Sequence, residues 1–255
     1  IDDQGRMFGG PMFTVETMPA TRADYETALR AAGTDSWKAG YLPYAIIDGY
    51  QQLVKDFTYW RILVAAEKRE TDATKKAYYA ADLKRREDLL IRDMGVWAHY
   101  VGDGSQPMHL SVHYNGWGDY PNPNGYTQSR STHFNLEGPP AKAVGDEAQV
   151  MALIPAYADC ACSVETRVVG YLTTTWKQTE PLYALEKAGG LTDADPRGKA
   201  FTQARLAAGA ATLRDLVVAA WTASAKGTIG YRPEISVEDV ESGKADPWLD
   251  LYGKD

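Results

Sequence analysis

Apolar residues recur along much of this chain at spacings of three and four, which is the periodicity of amphipathic helices. The clearest stripe begins after Pro43, a favoured first residue of a helix, and runs towards Glu67. A second long helix is predicted from Lys75 to Gly104, because Pro107 removes a backbone donor and disfavours helical geometry at the residue before it. Both stripes are interpreted as core-facing. The apolar members of the first are Ile46, Tyr50, Leu53, Phe57 and Trp60.

Shorter helices and one long loop complete the pattern. Thr21 is the predicted cap of a helix from Arg22 to about Ala32. The stretch Asn115–Arg130 is rich in Gly, Asn, Pro and Tyr and predicts a loop, and the polar tail Val237–Asp255 is expected on the surface. No stretch alternates as a strand does, so we predict an all-α fold forming a single domain over residues 1–255. The remaining predicted helices are Val144–Tyr157, Ser163–Lys187 and Thr202–Ala225.

Composition and charge narrow the class of protein. Hydrophobic residues make up 44% and charged residues 24% of the 255 residues, which is ordinary for a soluble globular protein. The net charge of -7 argues against stable binding of duplex DNA through phosphate contacts. No apolar run approaches the roughly 20 residues that span a bilayer. The longest run, near Leu213–Trp221, contains Arg214 and Asp215, so no transmembrane segment is predicted.

The first residues and the cysteines say little about location. The segment Ile1–Gly5 is polar and acidic and has no signal-peptide character. Cys160 and Cys162 are too few for a disulfide framework. A bridge between residues two apart is geometrically demanding, so the spacing favours free thiols, with a bridge as the alternative. Oligomeric state stays open.

Five residues with metal-binding side chains are concentrated in one part of the chain. They follow the pattern His-x3-Asp-x5-His, then His-x3-Glu, and include three of the four histidines. Side chains four apart on a helix share one face, about 5–6 Å apart at Cβ. Imidazoles and carboxylates are zinc ligands, and bound zinc makes a hydroxide nucleophile near neutral pH. A metal site in a hydrolase is therefore predicted from His99, Asp103, His109, His133 and Glu137.

The residues around these ligands resemble the signature of the zinc-dependent phospholipase C / P1 nuclease superfamily. The matching stretches are His99–His109, with its Gly-Asp-Gly-Ser-Gln-Pro-Met-His sequence, and His133–Glu137. The resemblance implies a compact multi-helix fold, a long irregular loop near the metal site and up to three Zn²⁺ ions. It also implies that a metal-activated hydroxide hydrolyses phosphodiester bonds.

The resemblance assigns a role to each of the five residues. His109, His133 and Glu137 would complete the protein ligands of one zinc. His99 and Asp103 would supply half the ligands of a second zinc. Asp103 would also bridge towards a third, and it is the candidate catalytic residue.

Two substrates remain open within this family. The Pro-Met before His109 and the glutamate of His-x3-Glu lean towards phospholipase C, whereas the aromatic loop suits a single-strand nuclease that stacks bases. Asp2 corresponds to the end of a His-aromatic-x-Asp turn in the family. The predicted substrate-binding residues are Asp2, His113, Tyr114 and Trp117.

The family pattern also contains ligands that this sequence lacks. They are an N-terminal Trp, a nearby His, an Asp and the His of the His-aromatic-x-Asp turn, yet no histidine precedes His99 and residue 1 is Ile. We therefore expect the chain to be N-terminally incomplete. The alternative is a non-catalytic or degenerate zinc-binding module. Because family members are usually exported, the expected location is periplasmic or secreted.

Overall fold

A computed structural model of the chain describes residues 18–144, 147–192, 195–231 and 234–253. The structure is mostly helical, with 67% helix and 2% strand, which agrees with the all-α prediction. The helices are α1 (Arg22–Ala31), α2 (Ser36–Ala39), α3 (Leu42–Arg69), α4 (Ala73–Asp103), α5 (Thr132–Glu137), α6 (Pro139–Lys142), α7 (Glu147–Met151), α8 (Val164–Trp176), α9 (Thr179–Lys187), α10 (Pro196–Ser224), α11 (Val237–Ser242) and α12 (Trp248–Tyr252). A 3-10 helix spans Pro107–Leu110, and two short strands are β1 (Thr228–Ile229) and β2 (Ile235–Ser236).

The long predicted helices are confirmed. Helix α1 starts after Thr21, whose hydroxyl accepts a hydrogen bond from the Asp24 amide at 3.1 Å. Helices α3 and α4 cover both apolar stripes, and α4 ends at Asp103, one residue before the predicted end. The irregular segment between the 3-10 helix and α5 contains the predicted loop. Hydrophobic periodicity together with helix-breaking Gly and Pro residues therefore predicted both helices, including α4, which leads to the candidate site.

Two of the later helices were predicted too long, and proline explains both differences. The segment predicted as Val144–Tyr157 contains only α7 among its described residues, because Pro155 disfavours helical geometry at the residue before it. The segment predicted as Ser163–Lys187 is split into α8 and α9. In a continuous helix the Pro181 ring would clash with the carbonyl of residue 177, whereas in the first turn of α9 its missing N–H costs nothing.

Tertiary contacts divide the chain into two compact units. One comprises the described part of Ile1–Ile47 together with His99–Asp215, and the other comprises Asp48–Ala98 and the described part of Leu216–Asp255. The two are described separately below as the first and second unit. The assignment of residues 1–255 to a single domain stays a prediction.

Several apolar residues of the C-terminal tail pack in the core of the second unit, so the expectation that the tail lies on the surface was wrong for those residues. Val237 and Val240 are each 1% exposed, and Trp248 and Tyr252 pack against the same cluster. The apolar residues of the tail are too few to produce a visible periodicity. Strands β1 and β2, which the sequence did not indicate, form an antiparallel pair just before it. The cluster is completed by Ile62, Leu63, Ala66, Tyr79, Ile229 and Ile235.

A buried carboxylate of the second unit should make stability depend on pH. Asp82 Oδ2 accepts hydrogen bonds from the Tyr252 hydroxyl at 2.8 Å and from Arg86 Nε at 3.2 Å. Burial opposes the ionised form, but the Tyr252 hydrogen bond and the Arg86 charge outweigh it and lower the pKa of Asp82. A lowered folded-state pKa adds stability above the unfolded value of about 3.9, and this is lost as pH falls through the folded value.

We therefore expect Asp82→Asn to lower the free energy of unfolding by about 1–3 kcal/mol at pH 7. Its deficit relative to the natural chain should shrink as pH falls below the unfolded value of about 3.9 towards the lowered folded value, where Asp82 in the folded natural chain becomes protonated. Denaturant unfolding at a series of pH values measures both effects. The exposed Asp88→Asn variant is the matched control and should behave as the natural chain does. A deficit for Asp82→Asn that is independent of pH would contradict the proposed ion pairing.

The first unit contains a hydrophobic cluster that packs beneath the predicted metal ligands. We call it the site-supporting core; its fully buried members include Met108 and Leu182. Met108 precedes His109, and Leu136 precedes Glu137, so the cluster anchors the backbone on both sides of the candidate site. The site-supporting core consists of Met108, Trp117, Leu136, Leu182, Tyr183 and Leu191.

Two further features of the chain correct or qualify the sequence analysis. Cys160 and Cys162 form a disulfide with Cα atoms 5.1 Å apart, which is the alternative that the spacing disfavoured. Ala161 between them has a left-handed φ of 48°, which brings the two side chains together.

Among the described residues, α10 is long and apolar enough to cross a membrane by length and composition alone. Core helices of soluble proteins pass the same test, so this indication is weak.

Candidate metal centre

The structure brings three of the five predicted ligands into one group. His109 Nε2 lies 3.3 Å from His133 Nε2 and 3.6 Å from Glu137 Oε1. His133 Nε2 lies 3.0 Å from the same Glu137 oxygen. Ligand atoms of all three residues therefore face one another closely enough to hold a metal ion.

The spacing of these donor atoms fits a tetrahedral site. Zinc bonds to imidazole and carboxylate of about 2.0–2.1 Å place neighbouring donors of a tetrahedron about 3.3–3.4 Å apart. The three observed distances of 3.0, 3.3 and 3.6 Å surround that value. Two imidazoles and one carboxylate also match the donor set of catalytic zinc sites, which keep a further position open. The geometry fits a metal ion, and the assignment of that ion as zinc stays a prediction.

Local sequence explains how these side chains converge. His133 and Glu137 occupy positions i and i+4 of α5 and therefore share one face of the helix. Helix α5 ends at Glu137 with Gly138 as its C-cap, and Pro139 starts α6. His109 is carried by the 3-10 helix that begins at Pro107, with three residues separating it from the end of α4.

Hydrogen bonds around His133 prepare its Nε2 for a cation. The Nδ1 of His133 lies 2.8 Å from the carbonyl oxygen of Tyr114, which can only accept, so Nδ1 carries the proton. In the neutral ring, Nε2 then presents a lone pair to the Glu137 carboxylate. Two acceptors at 3.0 Å repel each other unless a cation, either a metal ion or the Nε2 proton of an imidazolium, lies between them. The Asn115 side chain accepts from the His133 amide at 3.1 Å and holds the start of the helix in place.

Gln106 orients Glu137 and was not among the predicted site residues. Its Nε2 donates to Glu137 Oε1 at 3.1 Å, while its Oε1 accepts from the Met108 amide at 2.8 Å. One side chain thus caps the 3-10 helix and aligns a ligand on α5. The sequence did contain a signal for this role of Gln106, which is the Gln-Pro pair just after the end of a helix. A glutamine before Pro can cap the turn that follows.

Gln106→Ala is expected to weaken metal binding by about tenfold or more, the usual effect of removing an outer hydrogen-bond partner of a ligand. Glu137 would keep its position on α5 but lose the donor that fixes its oxygen. Competition with a zinc-binding dye measures the change. Gln178→Ala is the matched control, since Gln178 makes no capping hydrogen bond at the start of α9. Equal zinc affinity in the Gln106→Ala variant and the natural chain would refute the orienting role.

Asp103 and His99 lie on the other side of His109. Asp103 Oδ1 is 3.4 Å from His109 Nδ1, and Asp103 Oδ2 is 3.3 Å from His99 Nε2. The carboxylate therefore faces the nitrogen of His109 that points away from the three-ligand group, where carboxylates commonly orient metal-binding histidines. The His99 side chain is 74% exposed. The roles of His99 and Asp103 as ligands of further ions, and of Asp103 in catalysis, stay predictions.

The predicted substrate-binding residues occupy different environments. His113 and Trp117 are 2% and 6% exposed, and their rings stack with centroids 3.6 Å apart. The Tyr183 hydroxyl donates to the His113 carbonyl at 2.7 Å, so this pair forms part of the packed base of the loop. Tyr114 is 61% exposed, and its carbonyl oxygen lies 2.8 Å from His133 Nδ1. Asp2 lies outside the described residues.

A cavity of about 210 Å³ opens beside the metal ligands, and we call it the site cavity. Asp103, His109 and Glu137 form part of its wall. Helix α10 also contributes to the lining, most of which is apolar. A substrate group that contacts an ion held by His109 and Glu137 would therefore have this space available. The other lining residues are Gly102, Ser105, Gln106, Pro107, Leu136, Ala141, Thr202, Arg205 and Leu206.

Comparisons with known proteins identify neither a family nor a function for this chain. Neither protein-family models, nor curated proteins, nor solved structures give a match to this chain.

Proposed function

We propose that this protein is a zinc-dependent hydrolase that cleaves phosphodiester bonds and is related to the phospholipase C / P1 nuclease superfamily. The observation that carries the proposal is the three-ligand group of His109, His133 and Glu137, whose donor atoms have tetrahedral spacing. The Gly-Asp-x2-Gln-Pro-Met-His sequence around the first of these ligands supports the choice of phosphodiesters.

The residues of the chain divide into three roles in this proposal. His109, His133 and Glu137 hold the ion, which when bound would polarise a phosphoryl oxygen and lower the pKa of a water molecule. Gln106 and Asp103 orient two of these ligands through the contacts described above. The site cavity receives the substrate. Asp103, whose carboxylate lines the cavity and lies 3.4 Å from His109 Nδ1, is also the proposed catalytic residue.

Exposed aromatic rings beside the ligands could serve either candidate substrate. Phe134, adjacent to His133 in α5, is 69% exposed, and Tyr114 is similarly exposed. Such rings stack bases of single-stranded nucleic acid, and they also pack against the apolar part of a phospholipid. The buried His113 and Trp117 are not part of this proposed surface. Single-stranded nucleic acid and phospholipid therefore remain equal candidates.

The presence of a disulfide supports the proposed periplasmic or secreted location. Disulfides persist in oxidising compartments and are rare where thiols are kept reduced. The Cys160–Cys162 bridge is thus consistent with an exported protein.

One reconstitution experiment tests the proposed function. The purified chain is stripped with chelator, reloaded with Zn²⁺, and assayed on bis(p-nitrophenyl) phosphate, single-stranded DNA and short-chain phosphatidylcholine. We expect activity that chelator removes and Zn²⁺ restores, with one of the two natural substrates clearly preferred. Zinc binding without turnover of any of the three would contradict the proposal.

That contradicting result would support the second candidate, a non-catalytic zinc-binding module. It is favoured by one observation: within the described ranges, a single group of three metal-binding side chains is assembled. Metal stoichiometry separates the two candidates further. The enzyme would bind up to three ions, and the non-catalytic module about one.

A further inference from the structure

Arg205 is a cation that shares the site cavity with the metal ligands. It lies on α10 and lines the cavity together with Asp103, His109 and Glu137. Its Nη1 is shielded from solvent and has no hydrogen-bond partner among the described residues. No carboxylate in the described ranges lies within ion-pair distance of it. The charge of Arg205 is therefore not neutralised by the part of the chain that the structure describes.

Thr202 adds a second partnerless polar group to the same wall. It precedes Arg205 by three residues on α10, so both side chains share one face of the helix. Its hydroxyl is buried and makes no hydrogen bond with any described residue. Two polar side chains of α10 thus line the same cavity as the ligand residues, and neither has its hydrogen-bonding capacity filled by the described chain.

Leaving the Arg205 and Thr202 groups without partners costs free energy unless another molecule supplies hydrogen-bond acceptors. Buried donors in native structures nearly always have partners, and an unpaired charged donor carries the largest penalty. Burial lowers the pKa of Arg205, yet a guanidinium stays protonated at neutral pH. The carboxylates of Asp103 and Glu137 line the same cavity but contact His99, His109 and His133 instead. An anion from outside the chain would satisfy Arg205.

We infer that Arg205 is a substrate-binding residue that donates to a phosphoryl oxygen of the substrate in the site cavity, with the Thr202 hydroxyl as a second donor. The inference rests on the proposed function, because it takes the anion to be the phosphate group that is cleaved beside His109 and Glu137. Guanidinium groups suit phosphate oxygens in geometry and charge. The apolar side chains of Leu136 and Leu206 would contact the organic substituent next to the phosphate.

Calorimetry with inorganic phosphate tests the inference independently of turnover. The zinc-loaded chain and its Arg205→Met and Arg205→Lys variants are titrated with phosphate. We expect Arg205→Met to weaken phosphate binding by about tenfold or more, the usual effect of losing a charge-assisted hydrogen bond, and Arg205→Lys to weaken it less. Zinc content should be unchanged, because Arg205 is not a ligand. Arg205→Lys also keeps the test valid if Arg205→Met does not fold.

Arg197→Met is the matched control. It removes the same charge from the first turn of the same helix, where Arg197 forms an exposed ion pair with Asp195. Phosphate affinity of this variant should equal that of the natural chain. If Arg205→Met, or Arg205→Lys where the former does not fold, binds phosphate as tightly as Arg197→Met, the inference is wrong.

Kinetics separate this inference from the proposed function and identify the source of the phosphate. In an active enzyme, Arg205→Met should raise the KM for the preferred substrate, dinucleotide or short-chain phosphatidylcholine, by about tenfold or more. A natural chain that binds phosphate through Arg205 but hydrolyses nothing would overturn the proposed function and leave only the anion site. If the enzyme is active but neither its phosphate affinity nor its KM changes when Arg205 is replaced, the inference is wrong and the proposed function stands.

Discussion

Replacing His133 with alanine is expected to weaken zinc binding by more than about a hundredfold, because even outer hydrogen-bond partners of ligands are worth about 10–100-fold. The change removes one of three donors and leaves Glu137 Oε1 without its contact at 3.0 Å. It also removes the ring whose tautomer is fixed by the contact between His133 Nδ1 and the Tyr114 carbonyl. Phosphodiester turnover should fall with the metal. Dye competition and metal analysis after dialysis measure the loss.

His99→Ala is the informative comparison for this prediction. It is the same substitution, but His99 is exposed and contacts Asp103 rather than the three-ligand group. The tightest zinc should therefore remain bound in His99→Ala, and only a further ion, if the resemblance is right, should be lost. Equal loss of the tightest zinc in both variants would mean that the centre is organised differently from the group described here.

Leu182→Ala is expected to lower the free energy of unfolding by about 2–5 kcal/mol, the range for removing a buried leucine side chain. Leu182 is completely buried in the site-supporting core, next to Met108 and Leu136. Because these two neighbours adjoin His109 and Glu137, the cavity left behind should also loosen the metal centre. Denaturant unfolding of the metal-free chain measures the stability, and dye competition measures the zinc affinity.

Leu153→Ala provides the matched control in the same unit. Leu153 is half exposed, so its truncation should change the free energy of unfolding by less than about 1 kcal/mol. Zinc affinity should stay at the natural value. If Leu182→Ala were as stable as Leu153→Ala, the site-supporting core would not have the role assigned to it.

Local sequence signals were enough to predict the framework of the candidate site. The periodic apolar residues of α3 and α4 and the break at Pro107 act over a few residues, so they are visible without a structure. The i,i+4 spacing of His133 and Glu137 predicted a shared helix face for the same reason. The predicted helix lengths were wrong where Pro155 and Pro181 interrupted a helical pattern that otherwise continued.

The features that the sequence did not predict depend on contacts between residues that are far apart along the chain. The Tyr114 carbonyl reaches His133 across a loop, and a backbone oxygen has no residue-specific signal. Arg205 meets the ligands only because α10 lines the site cavity, and an arginine in a helix otherwise indicates a solvent-facing residue. Likewise, His113 and Trp117 stood out as aromatic residues of a loop beside the ligands. Their burial depends on packing with Tyr183, which follows much later in the chain.

The central claim is that His109, His133 and Glu137 hold one zinc ion. Crystals of the zinc-loaded chain, measured on both sides of the zinc absorption edge, test it most directly. The account predicts an anomalous peak bonded to His109 Nε2, His133 Nε2 and a Glu137 oxygen at about 2.0–2.2 Å. The absence of a peak there, or a zinc bound by other residues with these three side chains unliganded, would contradict it.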